Sequence, residues 1–104
     1  MAEIVWTKQA YIERVSILSY GKDVFGEKAM RRLNDEIEKN IFYLQENPQI
    51  GSFEALLEER PLGYRSWVIH KNYKLIYFVK DETVFIADIW DTRMEPRKLK
   101  QRIK

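Results

Sequence analysis

The sequence predicts an α+β fold: an N-terminal strand and an α-helical hairpin packed on a mostly antiparallel four-stranded sheet, followed by a short basic C-terminal segment. In the first half, apolar residues recur every three or four positions, as in an amphipathic helix. From Tyr64 onward, three runs rich in Val, Ile, Phe, Tyr and Trp favour strands instead. A chain of 104 residues with 45% hydrophobic and 13% aromatic content suits one domain, spanning residues 1–104.

The chain is expected to begin with a short strand and a first helix. Ile4–Trp6 favours a strand, and Thr7 suits a helix N-cap because its hydroxyl can accept a hydrogen bond from a free N–H of the first turn. The helix is expected to end between Gly21 and Gly26. Its apolar residues recur at helical spacing and predict one stripe, formed by Tyr11, Ile12, Val15 and Leu18.

The second helix has the clearest pattern in the sequence. It ends at Asn47-Pro48, because the residue before a proline disfavours the helical conformation. A tight joint between the two helices indicates an antiparallel hairpin. The apolar seam of the second helix comprises Met30, Leu33, Ile37, Ile41 and Leu44.

The second half predicts a loop and then a meander of strands. Residues 49–63 form the loop, with a short turn of helix at Leu56-Leu57. Asp81-Glu82 separates the last two strands closely enough for a tight hairpin, and His70-Lys71-Asn72 separates the first two. The N-terminal strand is expected at one edge of the sheet. The three predicted strands are Tyr64–Ile69, Tyr73–Lys80 and Thr83–Trp90.

Composition excludes several classes of protein. There is no Cys and only one His, His70, so neither a thiolate site nor a multi-histidine metal centre is possible. Asp88 and Asp91 lie on opposite faces of one predicted strand, so we expect no metal and no cofactor. No apolar run approaches the roughly 20 residues of a membrane span, and the start lacks the pattern of a signal peptide. We expect a cytoplasmic protein with no membrane partner.

The net charge of +2 hides an uneven distribution. Residues 1–59 carry 7 Lys/Arg and 11 Asp/Glu, whereas residues 60–104 carry 11 and 5. Such asymmetry can mark a surface for nucleic acid or for an acidic partner, or it can reflect charged helices and a solvated tail. Pro96 suits the start of a short helix, with Leu99 and Ile103 attaching it to the domain. The candidate nucleic-acid-binding cations are Lys71, Arg97, Lys98 and Lys100, with Arg102 and Lys104 completing the basic tail.

Three cations on or just after successive strands are candidates for a phosphate site. Strand pairing could bring Arg65, Lys74 and Arg93 within reach of one another, and guanidinium groups bind phosphate oxygens in pairs. Trp67 and Trp90 could stack on bases. The alternative is that the cations face solvent and the Trp side chains complete a core. His70 could act in acid–base chemistry, but an exposed His in a turn is commonly idle.

Over essentially its whole length, the chain resembles the RelE/ParE superfamily of bacterial type II toxin–antitoxin toxins, of the plasmid-stabilisation type, and the carboxy-terminal half is the diagnostic part. The resemblance rests on Gly63–Val79 (GYRSWVIHKNYKLIYFV), on the acidic turn and strand Asp81–Ile86, and on Asp91-Thr92-Arg93. The order of these motifs after a helical hairpin makes the resemblance specific. It implies a growth-inhibiting toxin held inactive by a cognate antitoxin, which typically wraps the toxin with an amphipathic segment and so implies apolar grooves beside the helices.

The superfamily includes two activities, and the resemblance leaves both open. RelE-like members are mRNA interferases: endoribonucleases that cut messenger RNA on the ribosome by attack of the ribose 2′-OH on the adjacent phosphate. ParE-like members inhibit DNA gyrase through protein contacts. A third alternative is an inactive relative that acts as an antitoxin-binding module, contacting operator DNA only as the toxin–antitoxin complex.

The catalytic residues of RelE-like ribonucleases match this sequence only in part. Arg65 takes the place of a basic strand residue, Lys74 that of a catalytic Arg, and Arg93 matches the late Arg. Trp67 stands where RelE itself has a lysine, and Leu99 where it has a C-terminal tyrosine. His70 is a possible substitute acid–base group. The resemblance therefore implies a catalytic set of Arg65, Lys74 and Arg93, with His70 possible.

Overall fold

The computed structural model describes residues 1–103; the predicted tail cation Lys104 lies outside them. The α+β class is confirmed: an N-terminal strand precedes two helices, and the remaining strands follow. A short 3-10 turn, Ala55–Leu57, lies between the second and third strands. The other elements in chain order are β1 Glu3–Trp6, α1 Lys8–Phe25, α2 Glu27–Glu46, β2 Ser52–Phe53, β3 Arg65–His70, β4 Tyr73–Lys80, β5 Thr83–Asp91 and α3 Arg97–Arg102.

The sheet has five strands rather than the four predicted, in the order β1-β5-β4-β3-β2. The extra strand is β2, in which Ser52 and Phe53 pair with Ser66 and Arg65. Two residues are too few to show an alternating pattern, so the sequence placed this segment in a loop. The N-terminal strand lies at one edge, as predicted, and pairs in parallel with β5 from Glu3↔Thr83 onward. The other strand pairs are antiparallel.

The helical hairpin is confirmed, and its joint is a single residue. The Thr7 hydroxyl accepts a hydrogen bond from the N–H of Ala10 at 3.2 Å and caps α1. The helix continues through Gly21 and ends at Phe25. Gly26 then turns the chain with φ 93° and ψ 169°, a conformation open almost only to glycine.

The main core lies between the hairpin and one face of the sheet. Three residues of the predicted α2 seam, Ile37, Ile41 and Leu44, are buried in it. The stripe predicted for α1 is wrong at three of its four positions: Tyr11, Ile12 and Val15 are exposed by 61%, 49% and 50%. Leu18, the fourth, does pack on the core, and the inward face of α1 presents it together with Ala10 and Ile17. Periodicity did not choose between the two sides because both sides of this helix carry apolar residues.

A second, smaller core covers the opposite face of the sheet. As predicted, Leu99 and Ile103 attach α3 to the domain, and both are buried. They pack with Trp90, Ile76 and Tyr64. The face of the sheet away from the hairpin is therefore partly closed by the C-terminal helix.

The turns of the meander follow the predictions closely. Asp81 and Glu82 have φ values of 51° and 61°, the positive values that favoured two-residue hairpin loops require. His70 is the last residue of β3 rather than part of the turn, and a β-bulge lies between Val68 and His70. Within residues 1–103, each helix is too short or too polar to span a lipid bilayer.

Candidate functional site

Lys74 forms a buried ion pair. It lies on β4 beside Trp90 of β5, so its side chain is on the sheet face that α3 covers. Its ammonium donates to the carboxylate of Glu54, which is only 6% exposed. The same carboxylate accepts the N–H of Leu56 at 3.1 Å. The pair anchors the 3-10 turn to the sheet.

Arg65 holds the loop before β2. Its Nη1 donates to the carbonyl oxygen of Gly51 at 2.6 Å and to that of Gln49 at 3.3 Å. Its guanidinium also lies 4.1 Å from the centroid of the Phe53 ring. Because Arg65 pairs in register with Tyr77 of the main core, it belongs to the hairpin side of the sheet edge.

Arg93 makes a two-pronged ion pair with Asp91. Its Nε and Nη2 donate to the two carboxylate oxygens at 3.0 and 2.9 Å, while 60% of its side chain remains exposed. The hydrogen bonds from Arg93 lower the pKa of Asp91, and the same contact raises the pKa of Arg93. Arg93 lies on the hairpin side of the sheet, beside Tyr20 and Tyr73.

The three predicted catalytic cations therefore do not converge. Lys74 is on the α3 face, whereas Arg93 is on the hairpin face, and each has a carboxylate partner. Arg65 bonds backbone carbonyls at the β2 edge. Their positions on successive strands did not predict whether their side chains meet, because successive residues of a strand direct their side chains to opposite faces of a sheet.

The two tryptophans that could have stacked on bases are structural. Trp67 donates from Nε1 to the side-chain oxygen of Asn40 on α2 at 2.9 Å. Trp90 is 2% exposed, and the guanidinium of Arg102 lies 4.9 Å from its ring centroid. Their alternative role, completion of the core, is the one observed.

His70 is exposed and lies on the hairpin side of the sheet, as Arg93 does. Its ring centroid is 5.8 Å from that of Tyr73, and its Nδ1 accepts the N–H of Asn72 at 3.4 Å. Lys71 is exposed in the turn that follows. His70 and Arg93 line the same groove, so the structure brings these two predicted residues to one surface.

The predicted tail cations that the structure describes divide into an exposed group and a structural member. Arg97, Lys98 and Lys100 are exposed on α3. Arg97 contacts Glu95, and Lys100 lies 3.1 Å from the carboxylate of Glu59. The tail thus presents cations to solvent, partly neutralised by local carboxylates.

Arg102 is the structural member of the tail, a role that was not predicted from the sequence. It donates to both carboxylate oxygens of Asp88, at 2.6 and 2.9 Å, and lies 3.3 Å from Glu13 of α1. Burial raises the pKa of Asp88, and the hydrogen bonds from Arg102 offset part of that rise. The sequence does contain one signal for this ion pair: Asp88 is a lone Asp at an inward position of an apolar strand. A buried carboxylate of this kind requires a cation as its partner.

A large concave surface lies between the hairpin and the β3–β4 turn. We call it the hairpin groove; its volume is about 620 Å³. Two aromatic residues at it are prominently exposed, Tyr20 by 56% and Phe25 by 70%. Tyr20, Tyr73 and Arg93 also border a neighbouring pocket of about 310 Å³. The groove is lined by Ile17, Tyr20, Gly21, Phe25, Ala29, Arg32, Leu33, Asp35, Glu36, His70, Asn72, Tyr73 and Arg93.

The hairpin groove has the composition of a protein-binding surface. An apolar floor with aromatic anchors and a rim of mixed charge is typical of such sites. It matches the expectation of apolar grooves beside the helices, which the sequence could not place. In the described part of the chain, no three His, Asp or Glu side chains gather in a geometry that could hold a metal ion.

Comparisons with solved structures identify the same fold in bacterial toxins. A chain of a chromosomal ParDE toxin–antitoxin system from P. aeruginosa superposes with a TM-score of 0.71 at 20% identity, covering 88% of this chain and 96% of that one. A copper-bound mutant toxin from Helicobacter pylori gives 0.63 at 17% identity, with coverage of 89% and 97%. The YoeB dimer from Staphylococcus aureus gives 0.56 at 22%, with coverage of 84% and 92%.

The sequence comparison gives the family. No curated protein matches the chain significantly. The family model for the ParE toxin of the type II toxin–antitoxin system parDE matches residues 4–96, which include α1, α2, all of the sheet except Glu3, and the Asp91–Arg93 pair. The RelE/ParE resemblance of the sequence is thereby confirmed. The protein belongs to the ParE toxin family of type II toxin–antitoxin systems.

Proposed function

We propose that this type II toxin arrests growth by inhibiting DNA gyrase through protein contacts, as the ParE-like resemblance implies. The observation that carries the proposal is the hairpin groove, an apolar surface with exposed Tyr20 and Phe25. Such a surface suits a protein partner. Support also comes from the separation of Lys74 from Arg93, since RNA cleavage requires cations that converge on one phosphate.

The test is expression of the toxin without its antitoxin, followed by inspection of both DNA and messages. We expect growth arrest with gyrase-linked DNA breaks and intact messages. Purified toxin is expected to inhibit supercoiling by gyrase in vitro. Arrest with new 5′ ends in translated messages and undamaged DNA would contradict the proposal. Normal growth despite soluble expression would leave only the inactive relative that binds antitoxin and operator DNA.

RNA cleavage on the ribosome is the second candidate, because one observation favours it. His70, Tyr73 and Arg93 line one groove, so a titratable imidazole and a guanidinium share a surface. If this candidate is right, Arg93→Ala abolishes both toxicity and the new 5′ ends while the domain stays folded. A folded, fully toxic variant would remove Arg93 from the site.

The hairpin groove is also the proposed site for the antitoxin. Two solved relatives come from a ParDE system and a YoeB–YefM complex, which supports a cognate antitoxin here. An amphipathic antitoxin segment can place apolar side chains on the groove floor and a carboxylate near Arg32.

Substitution in the groove provides the test for antitoxin binding. We expect Phe25→Asp to weaken binding of the antitoxin encoded beside this gene by at least about tenfold, because it buries a carboxylate against an apolar partner. Phe42→Asp is the matched control: Phe42 is 51% exposed on the same hairpin but does not line the groove. Calorimetric titration with both variants measures the difference. Equal weakening by the two variants would move the antitoxin site elsewhere.

A further inference from the structure

Helix α1 presents a second face that nothing within residues 1–103 covers. Ile12 and Val15 at its centre are exposed by 49% and 50%. None of the residues of this face lines the hairpin groove, and only Ser16 borders the neighbouring pocket. We call this surface the outer face of α1; it consists of Lys8, Ile12, Val15, Ser16, Ser19 and Asp23, all exposed.

The outer face of α1 is complementary to itself in the antiparallel sense. If a two-fold axis passes between Val15 and Ser16, each residue lies opposite the residue of the second copy whose number brings the sum of the two numbers to 31. Ile12 then lies opposite Ser19 of a second copy. Lys8 lies opposite Asp23 of the second copy, and the symmetry repeats that pair at the other end. Each α1 contact thus combines a small apolar centre with two opposite-charge pairs.

The charges of this face suit a helix pair better than they suit an isolated helix. Lys8 is the first residue of α1, and the first turn contains no acidic residue. Asp23 stands near the other end. A cation at a helix N-terminus and an anion near its C-terminus both oppose the helix dipole. In an antiparallel pair, each of these charges faces the favourable end of the other helix.

We propose that the free toxin forms a two-fold dimer through the outer faces of two antiparallel α1 helices. Neither Lys8 nor Asp23 has an ion-pair partner elsewhere in the described chain, so both charges are available for the contact. One helix per copy gives a contact at the small end of the range for specific interfaces, so the dimer depends on concentration. None of the residues in this contact lines the hairpin groove.

A charge exchange tests the proposal. In sedimentation velocity, the wild-type mass should rise from 12.6 kDa towards twice that value as concentration increases. K8E and D23K each place like charges at both ends of the contact, and each should weaken dimerisation at least about tenfold. The double variant K8E/D23K restores opposite charges and should recover the wild-type constant. Both single changes improve the agreement with the helix dipole, so unfolding does not explain a lost dimer.

Two further variants locate the contact. K39E applies the same charge change as K8E to an exposed position of α2 and should leave the dimer intact. Because the chain has no cysteine, an introduced thiol is the only one present. With oxidised glutathione as the oxidant, V15C should form a disulfide-linked dimer across the two-fold axis, whereas K39C should not. A monomeric wild type, insensitivity to K8E or D23K, no recovery in K8E/D23K, or no V15C cross-link would each overturn the proposal.

Discussion

Asp88 and Arg102 show how one residue pair can attach a whole element. The carboxylate of Asp88 is fully buried and meets a guanidinium that comes from α3 and stacks on Trp90. Such a pair contributes modest net stability when intact, but removal of one partner leaves an uncompensated buried charge. The pair therefore fixes where α3 lies more than it stabilises the domain.

Removal of the guanidinium should destabilise the protein in a pH-dependent way. The pKa of Asp88 is raised in the folded state, and Arg102→Ala raises it further, because Arg102 lowers it in the wild type. A raised folded pKa contributes stability below the unfolded value, and this contribution is lost as pH rises. We expect Arg102→Ala to cost about 3 kcal/mol near neutral pH and clearly less near about pH 4.

Urea unfolding at the two pH values measures this difference. Lys98→Ala is the control, since Lys98 is exposed on the same helix and should cost little at either pH. An equal loss for Arg102→Ala at both pH values would show that packing on Trp90, rather than charge, dominates.

At the residue scale, the sequence predicted which residues are charged but not what they contact. Lys74 lies on β4 and Arg93 comes just after the next strand, β5. Their side chains are nevertheless on opposite faces of the sheet, and each has its own carboxylate partner. The partner of Lys74, Glu54, comes from a loop whose path no local pattern reveals. Tyr20 reaches the groove from α1, 53 positions before Tyr73, and such distant contacts leave no periodic signal.

The elements themselves were predictable wherever a residue type limits the backbone. Thr7, Gly26 and Pro48 mark helix boundaries by capping, by permissive torsion angles and by steric exclusion. β2 was missed because two residues carry no period. The rotation of α1 was missed because apolar residues occur on both of its sides.

Substitutions of the two glycines of the hairpin are expected to change the stability of the domain in opposite directions. Gly26→Ala should cost about 1–3 kcal/mol, because φ 93° with ψ 169° strains any residue with a Cβ. Gly21→Ala should stabilise the domain by about 0.5–1 kcal/mol, since Gly21 is inside α1 and an added Cβ meets nothing within 4 Å. Denaturant midpoints of the two variants measure these effects. Destabilisation by Gly21→Ala would show that α1 bends at this position.

For the whole molecule, the sequence predicted the architecture better than the site. Two helices followed by a meander admit few arrangements, because the hairpin must bury its seam on one sheet face. The site depends instead on the face each charge occupies and on residues brought together from distant elements. The division of charge between the halves indicated a cationic second half, but the structure uses Lys74 and Arg102 internally.

Hydrogen exchange should map the stability of the molecule from the centre of the sheet outward. β4 and β5 have strand neighbours on both edges and carry most of the buried residues of the sheet. Their amides should exchange only through global unfolding, while those of β2 and α3 exchange through local opening. Mass-spectrometric exchange of the free toxin measures this order. Protection of α3 equal to that of β5 would show that the C-terminal helix unfolds only with the core.

The parallel pairing of β1 with β5 also determines when the toxin can complete its fold during synthesis. β1 is synthesised before β5, and Ile86, the partner of Trp6 in the sheet, is made 80 residues after it. Until that strand emerges, the hairpin has no complete sheet to pack against, and its apolar seam remains uncovered. The complete folded surface therefore forms only after β5 has been synthesised.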